Sequence, residues 1–330
     1  MLPFALGWLV TLFLWDSSLL IGVVALPHAS RSSSHLRKRW YHDQDHPVHA
    51  LFKRQDPNSY PPVGSSEWKS SFPDPSNFPP RTLPKAWTDA LNASIAAGKI
   101  PHIPISTLTG GGSITYPSGS GSPTGPTICS AYYECRAKGD LWDAPTGQQQ
   151  PVTHFFIGGN IYLNWKIFLQ AFQDNQDDIA VHTYTHPHMS TLSNERVLAE
   201  LGYTMQIIHD STGGRVPRFW RPPYGDCDNR VRAIAREIFG LTTVVWNHDT
   251  SDWQLTDGTI SYTQVQNSLK SFYSSPKSPG LVILEHELSA LSVQAFIWSW
   301  PLIGKNGWTP VTIADAAGTD WSNVWHVKVI

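Results

Sequence analysis

The sequence predicts an α/β fold built on a parallel sheet, open or closed into a barrel. Two observations carry this. From about residue 150 onward, short runs rich in β-branched and aromatic residues alternate with segments of helical spacing. The residues able to do chemistry fall directly after those runs, at the strand C-termini where such folds gather their sites. The runs are "THFFIGG", "IAVHT", "PRFWR", "TTVVW", "LVILE" and "PVTI". One helix is expected over Ser193 to His209, with Val197, Leu201, Met205 and Ile208 on one face. Another is expected over Asn229 to Phe239, with Gly240 as its stop.

The elements before residue 150 read in order from the N-terminus. "MLPFALGWLVTLFLWDSSLLIGVVA" fits a secretory signal over residues 1–25, cleaved after Ala25, although it lacks a basic start. Asp16 interrupts the apolar run and argues against a membrane span. Residues 26–82 read as propeptide and Pro/Ser-rich linker. The dibasic pairs Lys38-Arg39 and Lys53-Arg54 are candidate processing sites, with a solvated basic run as the alternative. Residues 83–100 carry helical spacing through Trp87, Leu91 and Ile95, and 101–127 form a Gly/Ser/Pro-rich linker.

Composition narrows the function classes. Lys and Arg total 24 against 26 Asp and Glu, so no nucleic-acid partner is expected. No stable protein partner is expected. Fifteen tryptophans serve either core packing or platforms for sugar rings, and composition does not separate the two. Cys129 and Cys135 are close enough for a small disulfide loop in a secreted protein, which leaves Cys227 unpaired. Asn92 opens a glycosylation sequon.

Four clusters carry the chemistry. His182 falls within "IAVHT", with His186 four residues on; Thr183, Tyr184, Thr185 and Pro187 place the pair on a strand-end loop rather than a helix. "RPPYGD", Arg221 to Asp226, makes a stiff turn whose backbone N–H suits an oxyanion. "NHDTSDW" follows "TTVVW", and "HEL" follows "LVILE". Each cluster alone has an ordinary structural explanation. Together, in the order H-T-x-x-H, R-x-P-Y, D-x-x-D-W and I-L-x-H, they resemble the polysaccharide deacetylases. This is carbohydrate esterase family 4, with the NodB homology domain and the fungal chitin deacetylases among its members. The resemblance covers roughly residues 151 to 318 and sets the domain at 128–318, with 319–330 as a tail.

The resemblance implies a distorted (β/α) barrel that deacetylates N-acetylglucosamine units of chitin, with acetylxylan and peptidoglycan as family alternatives. It implies one divalent metal, zinc or cobalt, with His182 and His186 as ligands. Tyr224 would offer its N–H to the oxyanion, His286 would be the general acid, and Asp252 would tune it. Trp253 and Leu284 would form the acetyl pocket. Arg221 would orient a base aspartate. A secreted, cell-wall location is expected, with chitin or its oligomers as partner. The tail carries no anchor signal, so no lipid anchor is expected.

The family's first strand ends in an Asp-Asp-Gly motif that supplies the base and the third metal ligand. Here the corresponding stretch is "GDLWDAPTGQQQPVTHFFIGGN", which contains no Asp-Asp-Gly. Either "LWDAP" is a degenerate form with Asp143 as the ligand, or the strand and its helix are absent, with the break near Gln148 to Gln150. A parallel crossover needs a dozen or more residues, and Thr146 to Pro151 is too short, which favours absence. The expectations that follow are an incomplete barrel, weak metal binding, an exposed edge on "THFFIGG" and a crippled enzyme.

Overall fold

The computed structural model describes residues 40–52, 60–141, 153–310, 312–317 and 328–329. A small antiparallel pair, β1 (Thr107–Leu108) and β2 (Ile114–Thr115), precedes the main sheet. That sheet contains β3 (Thr153–Phe156), β4 (Asp178–Val181), β5 (Phe219–Trp220), β6 (Thr242–Thr243), β7 (His248–Asp249), β8 (Ile283–Leu284) and β9 (Lys328–Val329). Its order is β6-β5-β4-β3-β9-β8-β7, and every pairing is parallel.

Two expectations are corrected here. The "THFFIGG" strand is not an edge, because β9 from the tail pairs with it at Thr153↔Val329. The same β9 pairs β8 at Ile283↔Lys328 and Leu284↔Val329, so the tail supplies the neighbour that β3 was expected to lack. Of "PVTI", Thr312 and Ile313 do not form a strand, and Val311 lies outside the described residues. The Thr312 side chain accepts the Asp315 N–H and starts α9 (Ile313–Ala316), because a hydroxyl there caps a helix more readily than it extends a strand.

The helices follow their sequence signals. Among them are α1 (Ser66–Ser70), α2 (Lys85–Ala96), α3 (Gly158–Leu163), α4 (Trp165–Leu169), α5 (Asn194–Ser211) and α6 (Asn229–Phe239). Ser193 caps α5 by accepting from Arg196 N, and Asp228 caps α6 by accepting from Val231 N. Gly240 ends α6 at φ 64°, a left-handed turn that glycine makes without a Cβ penalty. Beyond them, α7 (Tyr262–Tyr273) and α8 (Ala290–Lys305) bury Val265, Leu269, Ala295 and Ile303 with Ile283 in a second core.

The N-terminal half departs most from expectation. Parts of both segments read as linker are core. Trp40, Val48, Phe52, Trp68 and Phe72 join the main cluster, while Ile103 and Ile114 are buried from the second segment. The Trp68 Nε1–H donates to Ser211 Oγ at 3.1 Å, and the Trp87 Nε1–H to Leu51 O at 3.0 Å. Gly202 of α5 makes room for Trp87, since a Cβ there would lie 2.5 Å from the ring. Pro/Ser composition hid these contacts, because each isolated large side chain stabilises the fold by about 2–3 kcal/mol without any local period. Of the helix expected over 83–100, α2 buries Trp87 and Leu91 but leaves Ile95 exposed. The signal segment, both dibasic pairs and Asp143 lie outside the described residues. Among the described residues no helix is long and apolar enough to cross a membrane.

The strap at 40–52 carries an acid-sensitive residue. His42 is buried and stacks on His46 with ring centroids 3.9 Å apart. Burial first, then the charges of His46 and Arg218, lower its pKa from 6.5 to about 3. Its contribution to stability is therefore full above pH 6.5 and is lost as pH falls toward 3. The loss is about 3 kcal/mol by about pH 4. His42→Phe is expected to flatten the fall of Tm between neutral and acid pH, and an unchanged slope in thermal melts would refute the assignment.

Candidate active site

The strand β4 delivers His182, buried, into a turn that reverses before His186. Thr183 has φ 66° and His186 has φ 62°, left-handed values that cost a side-chain-bearing residue about 1–2 kcal/mol each. Glu200, buried on α5, holds this turn. One carboxylate oxygen accepts from Tyr184 N and Thr185 N, both at 2.8 Å, and the other from Thr185 Oγ1 at 2.7 Å. The local signal for Glu200 is a carboxylate set among Ala199, Leu201 and Met205, buried residues of the same helix.

The two imidazoles meet at 4.8 Å between ring centroids, with planes 74° apart. His182 donates its Nδ1–H to the Arg221 carbonyl at 2.8 Å, which fixes the tautomer and leaves the Nε2 lone pair toward the cleft. Burial first, then Arg221, lower the pKa of His182 well below 6.5 and that of His186 to about 4. Both rings are therefore neutral at pH 7, the form in which histidine binds metal.

Arg221 follows β5 and is buried. Its Nη2 donates to His182 Nε2 at 3.3 Å, and its Nη1 has no hydrogen-bond partner among the described residues. Burial lowers its pKa to about 9, against the raising effect of Asp252 and Asp249. Tyr224, three residues on, has φ 56° and an exposed ring. That ring packs against His186 at 4.6 Å and stacks on His188 at 4.1 Å.

Asp252 and His286 come from the turns after β7 and β8. One Asp252 oxygen accepts the His286 Nδ1–H and the other the His286 backbone N–H, both at 2.7 Å. Asp252 is buried and His286 only partly, so the ring keeps Nε2 for an external partner. His154 on β3 stands beside this loop, with Nε2 3.1 Å from Asp177 and Nδ1 3.5 Å from Glu287. Burial would lower its pKa, but the two carboxylates prevail and raise it to about 10. This imidazolium ties β3 to the residue after His286. No local spacing announced it, because its partners lie on other elements.

One cleft of about 1170 Å³ collects these groups. His182, His186, Arg221, Tyr224, Asp249, Trp253, Leu284 and His286 all line it. Trp253 is 43% exposed and Leu284 is 4% exposed, an arrangement with one apolar side chain at the surface and one beneath. Apart from Asp143, every residue that the motif order singled out is in this cleft or directly behind it. Cys129 and Cys135 form a disulfide with 5.1 Å between Cα atoms, Cys227 is buried and unbridged, and Asn92 is exposed on α2.

A catalytic metal of this kind takes three protein ligands. Two neutral imidazoles, that of His182 with a fixed tautomer, suit it. Among the described residues, however, no group of three His, Cys, Asp or Glu side chains could hold a metal ion. A guanidinium also occupies the lone pair of His182. The described residues therefore do not fit a closed metal site by themselves.

Comparison with known proteins decides the lineage. A family model described as polysaccharide deacetylase matches residues 143–244. A chitin deacetylase 3 of Cryptococcus neoformans var. neoformans serotype D is 36% identical over 311 residues, covering 86% of this chain and 73% of the relative. The chain belongs to the polysaccharide deacetylase family. A chitin deacetylase 2 of Cryptococcus neoformans var. grubii serotype A is 39% identical over 168 residues, covering 49% of this chain and 36% of the relative. Among solved structures, a family 4 carbohydrate esterase from Streptomyces lividans in complex with acetate is 28% identical with a TM-score of 0.43, covering 50% of this chain and 80% of the other. The family resemblance drawn from four strand-end motifs is thus borne out, and the matched region begins at Asp143, inside the stretch where the family's first motif was sought.

Proposed function

We propose that this chain is a secreted hydrolase that removes the acetyl group from N-acetylglucosamine units of chitin, with turnover far below that of a complete site. The observation that carries the proposal is the His286–Asp252 couple sharing one cleft with the His182–His186 pair, Tyr224 and Trp253. Water adds across the amide, the C–N bond breaks, and acetate and a free amine result. His286, held at Nδ1 by Asp252, would deliver the proton from Nε2 to the leaving nitrogen. The Tyr224 backbone N–H would meet the oxyanion, and Leu284 with Trp253 would receive the acetyl methyl. A divalent zinc or cobalt ion, which the family implies, would find two ligands here and bind weakly.

A second reading, retention of chitin without turnover, is favoured by the Arg221 guanidinium set against His182 Nε2. Acetate release from chitin tetramers, with and without added zinc or cobalt, separates them. Slow release that drops about 100-fold in His286→Ala supports hydrolysis. No acetate but retention on chitin supports the second reading, and neither outcome in a folded protein would sink both.

A further inference from the structure

The hydrolysis described above has an acid, His286, but no group to take the proton from water. Among the described residues, two carboxylates line the cleft, those of Asp249 and Glu287. Glu287 is committed elsewhere, since its Oε2 lies 3.5 Å from Nδ1 of the buried His154. Asp252, behind the cleft, has both oxygens on His286. Asp249 is the carboxylate left to act on water.

The sheet fixes where it stands. The strands β6 and β7 are the two ends of the sheet order, yet Val244 to Asn247 join them directly in the chain. Val244 N donates to Trp220 O at the end of β5, and His248 N donates to Val282 O just before β8. The run therefore bridges β5 and β8, and Asp249 at its end stands between Arg221, after β5, and His286, after β8.

Asp249 pairs with Leu284 in parallel register, so the two side chains emerge on the same face of the sheet. Leu284 is the residue given to the acetyl methyl, and the carbonyl carbon that water attacks is one bond from that methyl. The Asp249 Oδ1 accepts the Ser251 N–H at 2.7 Å, which orients the carboxylate and leaves Oδ2 for a water. The residue is exposed, so solvent reaches it. Arg221, His286 and Asp252 act on its charge through space. We propose that Asp249 is the general base for hydrolysis in this chain, which rests on the hydrolytic reading above. Its carboxylate takes one proton from the water as the water oxygen bonds to the acetyl carbonyl carbon. The His286 imidazolium gives its proton to the amide nitrogen as the C–N bond breaks, releasing acetic acid and the free amine. The proton held by Asp249 returns to His286 through solvent, and both groups are restored.

The test is acetate release from chitin tetramers by the full chain and its Asp249 variants. Asp249→Asn keeps an oxygen for the Ser251 N–H and should melt with the wild type. It is expected to lower kcat about 100-fold and to leave KM within about threefold, since a base acts in the transition state. Asp249→Ala opens a gap beside the cleft. Added formate, a small carboxylate, should enter it and raise the rate of this variant about tenfold, with no effect on the wild type. If the alanine variant does not melt as a folded protein, Asp249→Ser, which leaves a similar gap and a hydroxyl for the Ser251 N–H, carries the rescue. A residue that only supports the loop would give a loss that formate does not restore, and that result would overturn the assignment. A kcat for Asp249→Asn within about twofold of the wild type would also overturn it, and the hydrolytic reading would stand in both cases. No acetate from the wild type would overturn both.

Discussion

Glu200→Ala is expected to destabilise the chain by about 3–5 kcal/mol and to release the loop that carries His182 and His186. The carboxylate is buried and accepts three hydrogen bonds, two of them from backbone N–H groups of Tyr184 and Thr185. Removing it leaves those donors buried without partners, and a charged acceptor contributes about 1.5–3 kcal/mol per bond relative to none. The same bonds offset the left-handed backbone at Thr183 and His186. Chemical denaturation should show the loss in midpoint with an unchanged slope. Hydrogen exchange at Tyr184 and Thr185 should rise out of proportion to the global change. Glu200→Gln, which keeps the shape but exchanges an acceptor for a donor, should recover only part of the loss. A stability change below about 1 kcal/mol for the alanine variant would mean that the turn is held by its other contacts, such as Tyr184 Oη to Pro73 O.

Arg221→Met is expected to act in the opposite direction. The guanidinium is buried, leaves Nη1 without a hydrogen bond among the described residues, and feels Asp252 and Asp249 only through space. A buried charge in such a setting costs more than an apolar chain of similar volume, so methionine should raise stability by about 2 kcal/mol. It should also free the His182 Nε2 lone pair and remove a positive charge that lowers the pKa of both imidazoles. Zinc titrated calorimetrically should bind the variant about tenfold more tightly than the wild type. Destabilisation of the variant instead would show that Arg221 has a carboxylate partner, with Asp143, outside the described residues, the first to test by double-mutant cycle.

The two variants mark where sequence reasoning reached and where it stopped. His182, His186, Arg221, Tyr224, Asp252, Trp253, Leu284 and His286 were legible because each lies at the end of a strand signal or within a few residues after it. Strand ends of a parallel sheet converge on one face whatever the intervening helices contain. Helices α5 and α6 were legible from their apolar spacing, and α6 also from its stop at Gly240. Trp40, Phe52, Trp68 and Phe72 were not, since single aromatics in a Pro/Ser-rich chain have no period to read. Glu200 and His154 were missed for a related reason. Their partners lie on other elements, and nothing in local spacing names a partner 15 or 23 residues away.

By itself the sequence determined the family, the α/β class and the set of strand-end residues that could act on an amide. Those depend on local periodicity and short motifs, which the chain carries wherever it folds. Only the tertiary structure decided which groups touch. It set the guanidinium of Arg221 against His182 and placed Asp249 on the cleft wall. It also put the tail strand β9 between β3 and β8, where the sequence implied an open edge. The physical reason is that unpaired backbone groups and buried charges seek whatever partner the fold brings near, and that partner is set by packing across the whole chain rather than by neighbours in sequence.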